Sequence, residues 1–513
     1  MCITSCILVD KMEDIHYDLC VIGGGINGAG IARDAAGRGL SVLLVEAQDL
    51  AGATSSACSK LIHGGLRYLE HYEFGLVRKA LHEREALLKA APHLIWPIEC
   101  IVPMEEGGRP KWMLRLGLWL YDRLAGNKSL PDSRFIKFDT LSDDQNPMKR
   151  TVKSGFGYMD CQADDSRLVV MNAVDAAGRG AKVLTYTACD KLEIHDGRWR
   201  VSLRDTRSDD SIKVSASMVA NATGPWVRQF LDSIELGGDD PDLPSVRLVK
   251  GSHLILPRQH EVDKAYVLQQ GDGRIVFVTP YEGKYTLVGT TEEDFHDDPR
   301  NARISNEEID YLCNAYNDGF EKSITKDDAV FTFSGIRPLL DDGNQSASKV
   351  TRDHLIYHHS RYDAPLLSVF GGKLTTYRVV AEDVVDRLMA LSARTKQAWT
   401  AREPLAGGDI GEQSFNAFCR AQKKLYPWLP DTLIWRYARA YGTHMDFFLN
   451  DKKSIGDLGA HYGDGVYAAE INYLKTHEWA TTSEDVVWRR SKMALHVSDE
   501  TLQNIEAAFS IAQ

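Results

Sequence analysis

YDLCVIGGGINGAGIARDAAGRGLSVLLVE, residues 17–46, decides the fold of this 513-residue chain. The apolar run Leu19 to Ile22 predicts a buried strand. Gly23, Gly25 and Gly28 then complete GxGxxG. Small and apolar residues at helical spacing continue to Arg38, and Gly39 ends that helix. LSVLLVE predicts a second buried strand closing on Glu46. The first glycine makes a tight turn, the second lets backbone approach a pyrophosphate, and the third lets helix pack on strand. The helix start, with unpaired N–H groups and the dipole's positive end, favours the anion. Ile26 and Asn27 open that helix. Glu46, 23 residues after Gly23, is placed to accept hydrogen bonds from ribose hydroxyls, with Ala47 beside it. An acid there disfavours a ribose phosphate, which leaves FAD or NAD ahead of NADP.

The length predicts two or three domains and a large core. With 26% charged and 43% hydrophobic residues the chain is globular in composition, and a net charge of −12 argues against nucleic acid as partner. Nine cysteines without a CxxC pair read as buried or free thiols in a reducing compartment, not as a zinc or iron–sulfur site. Residues 1–16 lack a basic start and a cleavage site and read as an N-terminal extension. No run of about 18 uncharged apolar residues predicts a membrane-spanning helix.

The residues after Glu46 separate FAD from NAD. A dedicated NAD domain would continue with alternating strands and helices. Instead the chain enters SSACSKLIHGGLRYLEHYEF (55–74), a polar, turn-rich loop. Two later stretches repeat a strand-then-glycine pattern. In SMVANATGPWVRQF (217–230) the strand leads to Ala222-Thr223-Gly224. In LLSVFGGKLTTYRVVAEDVVDRL (366–388) a Gly-Gly turn opens a helix whose start offers N–H groups and the Thr375 and Thr376 hydroxyls.

Together these stretches resemble the aerobic, FAD-dependent glycerol-3-phosphate dehydrogenases. The likeness also runs through VKGSHLILP (249–257) and FSGIRPL (333–339). It implies an α/β chain (α+β overall): a discontinuous Rossmann-like FAD-binding domain, an antiparallel-sheet substrate domain of the amino-acid-oxidase type, and a C-terminal all-α domain. It implies FAD as cofactor, sn-glycerol 3-phosphate as substrate, dihydroxyacetone phosphate as product and a membrane quinone as final acceptor, in a homodimer. Ser55, Ser56, Lys60, His63, Gly64 and Gly65 are implied in the cofactor loop, together with Gly224, Trp226, Gly372, Lys373, Leu374 and Thr375. Cys58 stands where the family pattern has Ser. The rival readings are a soluble glycerol-3-phosphate oxidase using oxygen, an FAD amine or amino-acid oxidase, and a non-catalytic flavin or NAD sensor.

The implied reaction needs cations for a dianionic phosphate and a group to take the hydroxyl proton. Arg67, with Tyr68 beside it, Arg337 and Lys373 are the candidate cations; each also reads, taken singly, as a surface ion pair. His253, after a Gly-Ser turn, reads by itself as a hydrogen-bonded structural residue. The resemblance places it by the flavin, where an ordinary pKa of about 6.5 suits a proton acceptor. Two accounts stand open: His253 takes the proton, or Arg337 touches the hydroxyl and lowers its pKa.

The FAD-binding pieces are expected at about 17–95, 150–230 and 330–395, with substrate pieces between them, up to residue 405. RIVFVTPYEGKYTLVGTTEEDF (274–295) predicts antiparallel strands around Glu282-Gly283. From 406 to 513 apolar residues recur at helical spacing. RPKWMLRLGLWLYDRLAG (Arg109 to Gly126) mixes Trp and Leu with basic residues. It is too charged to span a bilayer and reads either as a stripe on the protein's own core or as an interfacial helix. A quinone-reducing enzyme favours the second, at the cytoplasmic face of the inner membrane.

Overall fold

The computed structural model describes residues 15–104, 110–126, 128–142, 145–238, 240–341 and 353–510. Most of the expected N-terminal extension, Arg109 and residues 342–352 of the third expected FAD piece lie outside these.

The opening stretch folds as a βαβ unit: β1 (His16–Ile22), α1 (Ile26–Gly37) and β2 (Val42–Val45). β1 pairs in parallel with β2 on one side and with the strand Ser211–Asn221 on the other. The strand Leu366–Gly371 continues the parallel sheet beyond Ser211–Asn221, and Lys182–Leu184 continues it beyond β2. The continuous apolar runs reflect burial on both faces. Leu19 and Val21 of β1, with Val42 and Leu44 of β2, face one core containing α1 and the helices Asp165–Gly178 and Tyr377–Leu391. Cys20, Ile22, Leu43 and Val45 face a second core with Trp199 and Leu231. Successive side chains of a strand alternate faces, so one apolar run serves both cores.

A second, ten-stranded and mostly antiparallel sheet has Val246–Pro257 as its longest strand. It pairs with Tyr285–Gly289 and Phe331–Leu340. The expected hairpin forms: Ile275–Tyr281 runs antiparallel to Tyr285–Gly289, and Glu282 and Gly283 both take positive φ (45° and 69°) in the turn. Sheet pairing draws the FAD pieces more narrowly than about 17–95, 150–230 and 330–395. Leu61–Ile62, Ser154–Ala163 and Phe331–Leu340 lie within those ranges but pair in the second sheet. A buried strand reads alike in either sheet; its partner decides where it belongs.

The C-terminal region has its own core, running from Ile410 to Ile505. It is helical, as expected, with one short hairpin, His461–Gly463 with Val466–Tyr467. Gly463, Asp464 and Gly465 in succession adopt positive φ and turn the chain back on itself.

Candidate active site

Three parallel strands end at one edge of the sheet, and the turns after them form a cavity of about 400 Å³. β1 ends in Gly23 (φ +108°), where an added Cβ would lie 2.5 Å from the Ala222 carbonyl oxygen. Ser211–Asn221 ends in Ala222-Thr223-Gly224. Leu366–Gly371 ends in Gly372 (φ +96°) and Lys373. This is where open α/β sheets bind ligands, outside the carboxyl ends of strands. Of the expected cofactor residues, Gly23, Gly25, Ile26, Asn27, Glu46, Ala47, Ser55, Gly224, Trp226, Gly372, Lys373 and Leu374 line the cavity. α1 starts at Gly25 without a side-chain cap, and the Ser55 hydroxyl accepts from Ile26 N–H at 3.0 Å. Glu46 accepts from Gly24 N–H at 2.6 Å and Gln48 N–H at 2.8 Å, which holds its carboxylate at the end of β2. Burial raises its pKa against those two bonds. The helix start and the terminal acid facing one cavity fit a dinucleotide.

A second cavity, of about 610 Å³, lies beyond the loop 61–68. His63, Gly65, Arg67 and Tyr68 line it on one side; Phe277, Thr290 and Glu292 line another. Lys373 joins the two spaces: it lines the first, and its ammonium sits 3.8 Å over the Tyr68 ring in the second. The dividing loop is fixed at several points. His63 N–H donates to Thr375 Oγ1 at 3.2 Å. Gly64 N–H donates to Tyr121 Oη at 2.9 Å, and that hydroxyl donates to Asp160 at 2.7 Å, which Arg84 also holds at 3.0 Å.

Arg337 stands between the cavities. Its Nη2 donates to Thr290 Oγ1 at 2.8 Å and its Nη1 is 3.6 Å from Glu292 Oε1, while the next residue, Pro338, lines the first cavity. His253 is buried behind it, stacked on Phe333 with centroids 4.7 Å apart and Nε2 2.9 Å from Ser59 Oγ. The ordinary pKa expected for this imidazole is corrected: burial, then the charges of Arg337 and Lys60, push it well below 6.5.

Five expected cofactor residues line neither cavity. At Gly28 an added Cβ would lie 1.8 Å from the Gly23 carbonyl oxygen, so this glycine serves the close packing of helix on turn. The Ser56 hydroxyl donates to Ala53 O at 3.1 Å. The Lys60 ammonium donates to Asp165 at 2.7 Å. Gly64 and Thr375 anchor the dividing loop through the bonds to Tyr121 and His63. The sequence reading missed Thr187, Cys189 and Arg300 in the first cavity and Phe277, Thr290 and Glu292 in the second. Of these only Glu292 carried a signal, an acid pair closing a β-branched strand.

The helix Lys111–Leu124 borders the second cavity. Leu118 and Tyr121 are buried on its inner side, while Trp112 (68% exposed), Leu116 and Trp119 stand outward. Trp112, Met113 and Leu116 also line the cavity, as do Tyr72 and Phe74 at the start of the helix Phe74–Ala90. Among the described residues no helix is long and apolar enough to cross a membrane.

Residues 18–378 match the family described as FAD dependent oxidoreductase, and residues 398–513 match the C-terminal domain of alpha-glycerophosphate oxidase. The chain is similar to the aerobic glycerol-3-phosphate dehydrogenase of Escherichia coli, at 46% identity over 93% of this chain and 94% of that protein. It is 44% identical to the D-erythritol 1-phosphate dehydrogenase of Brucella abortus over 94% of this chain and 95% of that one. Its fold is similar to the crystal structure of the glycerol-3-phosphate dehydrogenase from Bacillus halodurans complexed with FAD. That match has a TM-score of 0.78 and 27% identity, and covers 98% of this chain and 92% of that one.

Proposed function

The chain belongs to the FAD-dependent oxidoreductase family that holds the aerobic glycerol-3-phosphate dehydrogenases, and from that membership we propose that it oxidises sn-glycerol 3-phosphate to dihydroxyacetone phosphate and passes the electrons to a membrane quinone. The observation that carries this reading is the position of Lys373, which lines the dinucleotide cavity and reaches over Tyr68 into the cation-bearing cavity beside it.

FAD, when bound, supplies the acceptor for the hydride from the substrate's second carbon. Arg67 and Lys373 supply positive charge for the phosphate, Arg67 with a fork that suits two oxygens at once and Lys373 as a point charge. Tyr68 carries both the cavity wall and the face on which Lys373 rests. Arg337 sits where the two cavities meet and polarises the substrate hydroxyl. His253, held neutral by burial beside two cations, takes the hydroxyl proton.

The exposed Trp112, Leu116 and Trp119, with Tyr72 and Phe74, support a peripheral seat on a membrane, and the cytoplasmic face of the inner membrane is the proposed location. The basic residues Lys111, Arg115 and Arg123 on the same helix offset repulsion between an acidic protein and anionic lipid. A homodimer is proposed on family membership alone.

The test is anaerobic addition of glycerol 3-phosphate to the FAD-loaded protein, followed by a quinone analogue. Bleaching of the flavin absorption, then its return on adding the quinone, is the expected result. Return only with oxygen, with peroxide formed, would make the protein an oxidase. No bleaching would leave a sensor, and faster bleaching by a four-carbon polyol phosphate would shift the substrate. Arg67→Ala and Arg337→Ala should each retain FAD and lower kcat/KM about a hundredfold, the loss of one charge-assisted contact of about 3 kcal/mol. Flavin-loaded variants with unchanged kcat/KM would remove those residues from the site.

A further inference from the structure

Residues 485–492, more than 400 positions beyond the FAD cavity's wrapping segment 46–60, hold the near end of that segment directly and its far end through Asp165. At the near end is Asp49, buried three residues past Glu46. Arg490 Nη1 and Nη2 donate to its two carboxylate oxygens at 2.5 and 2.8 Å, and Arg489 Nε donates to Oδ2 at 2.5 Å. At the far end is Lys60, which donates to Asp165 Oδ2 at 2.7 Å and to Ser56 O at 3.0 Å. Cys58 Sγ donates to the same carboxylate oxygen at 3.3 Å. The other oxygen of Asp165 meets Lys492 Nζ at 3.3 Å, and Lys492 also donates to Ser166 Oγ at 2.6 Å. Between these two anchors run Gly52, Ala53, Thr54 and Ser55, all of which line the cavity.

The clamping segment has an unusual local form. Asp485–Arg490 is a π-helix, and Lys492 takes a left-handed conformation (φ 56°). Single π-turns occur preferentially at functional positions, and this one places the consecutive Arg489 and Arg490 on one carboxylate. Arg490, Asp49, Asp165, Lys60 and Lys492 are all buried. Burial opposes ionisation of Asp165, but Lys60 and Lys492 outweigh it and keep the carboxyl below its usual range. Charges withdrawn from water in this way are tolerated only while their partners stay in place, so disorder in one segment costs order in the other.

We propose that residues 485–492 clamp the cofactor-wrapping segment, so that the C-terminal region sets how long FAD is retained although none of its described residues lines the cavity. The clamp does not depend on which substrate or electron acceptor the protein uses.

The test uses the full-length FAD-loaded protein. Lys492→Met should release FAD about tenfold faster, read by the rise of flavin fluorescence on dilution, a change worth about 1.4 kcal/mol. Lys492→Arg should restore retention, and kcat at saturating FAD should match the wild type in both. A Lys492→Met protein that unfolds at lower temperature yet releases FAD at the wild-type rate would overturn the clamp. Hydrogen exchange on the unmutated protein is the second measurement. Removing FAD should deprotect amides of 49–60 and 485–492 together; opening of 49–60 with 485–492 unchanged would also overturn it.

Discussion

His253 shows how far a residue's surroundings move it from its sequence reading. In VKGSHLILP it is a lone histidine after a turn; in the fold it is buried, stacked on Phe333 and beside Arg337. Its pKa and that of the buried His93 are both pushed well below the ordinary value by burial and neighbouring cations. The unfolded chain therefore binds protons first as pH falls. The stability these imidazoles contribute is complete above about pH 6.5 and is withdrawn as pH drops below it. Urea midpoints should fall between about pH 7 and pH 5.5, and His253→Asn should make that fall smaller. An unchanged slope in the variant would mean that the imidazole is not held neutral. Cys58 is settled by the same kind of detail. It donates to Asp165, as the expected hydroxyl could, and burial, then the Asp165 charge, pushes its thiol up to about 12, so it is no reactive thiolate. Gly23 and Gly28 were legible because no side chain fits their positions. Thr290 was not, because its one distinguishing fact is the Arg337 guanidinium 2.8 Å away, across 47 residues of chain.

At the scale of elements, the helix Lys111–Leu124 carried two readings in its sequence, and in the structure it buries one side and exposes the other. Leu118 and Tyr121 pack inward, and the Tyr121 hydroxyl ties the helix to Gly64 and Asp160. Trp112, Leu116 and Trp119 stay outside, and Arg123 lies over the Trp119 ring at 5.8 Å. Trp112→Glu combined with Leu116→Glu replaces exposed residues, so the fold should persist, and Trp119→Glu, whose side chain lines neither cavity, should also keep dye-linked activity. The protein should move from the membrane fraction to the soluble fraction on centrifugation, because each substitution exchanges apolar contact with lipid for a repelled charge. Unchanged partition would remove this helix from any membrane seat. Strands were legible as apolar or β-branched runs. The sheet to which Ser154–Ala163 or Phe331–Leu340 belongs was not, since hydrogen-bond partners leave no mark on a strand's own pattern.

At the scale of the whole molecule, the C-terminal region is joined to the FAD-binding core through buried charges. Arg167, on the helix that packs against α1, donates from two nitrogens to Glu478, and neither residue is exposed to solvent. Glu478→Ala leaves that guanidinium uncompensated and should lower the unfolding free energy by about 3–5 kcal/mol in denaturant titration. Replacing the pair together with Met and Leu should cost less, and equal losses would argue against a specific ion pair. The sequence by itself determined the βαβ unit, the glycine turns, the terminal acid and the antiparallel hairpin. Each rests on local sterics, on periodicity or on residues close in the chain. Only the tertiary structure decided that Lys373 reaches Tyr68, that Arg337 meets Thr290, and that residues 485–492 grip Asp49 and Asp165. Those pairings join positions far apart in the chain, and what selects them is the need of each cation for a ring, a hydroxyl or a carboxylate in place of water, which these partners supply only once the chain has folded.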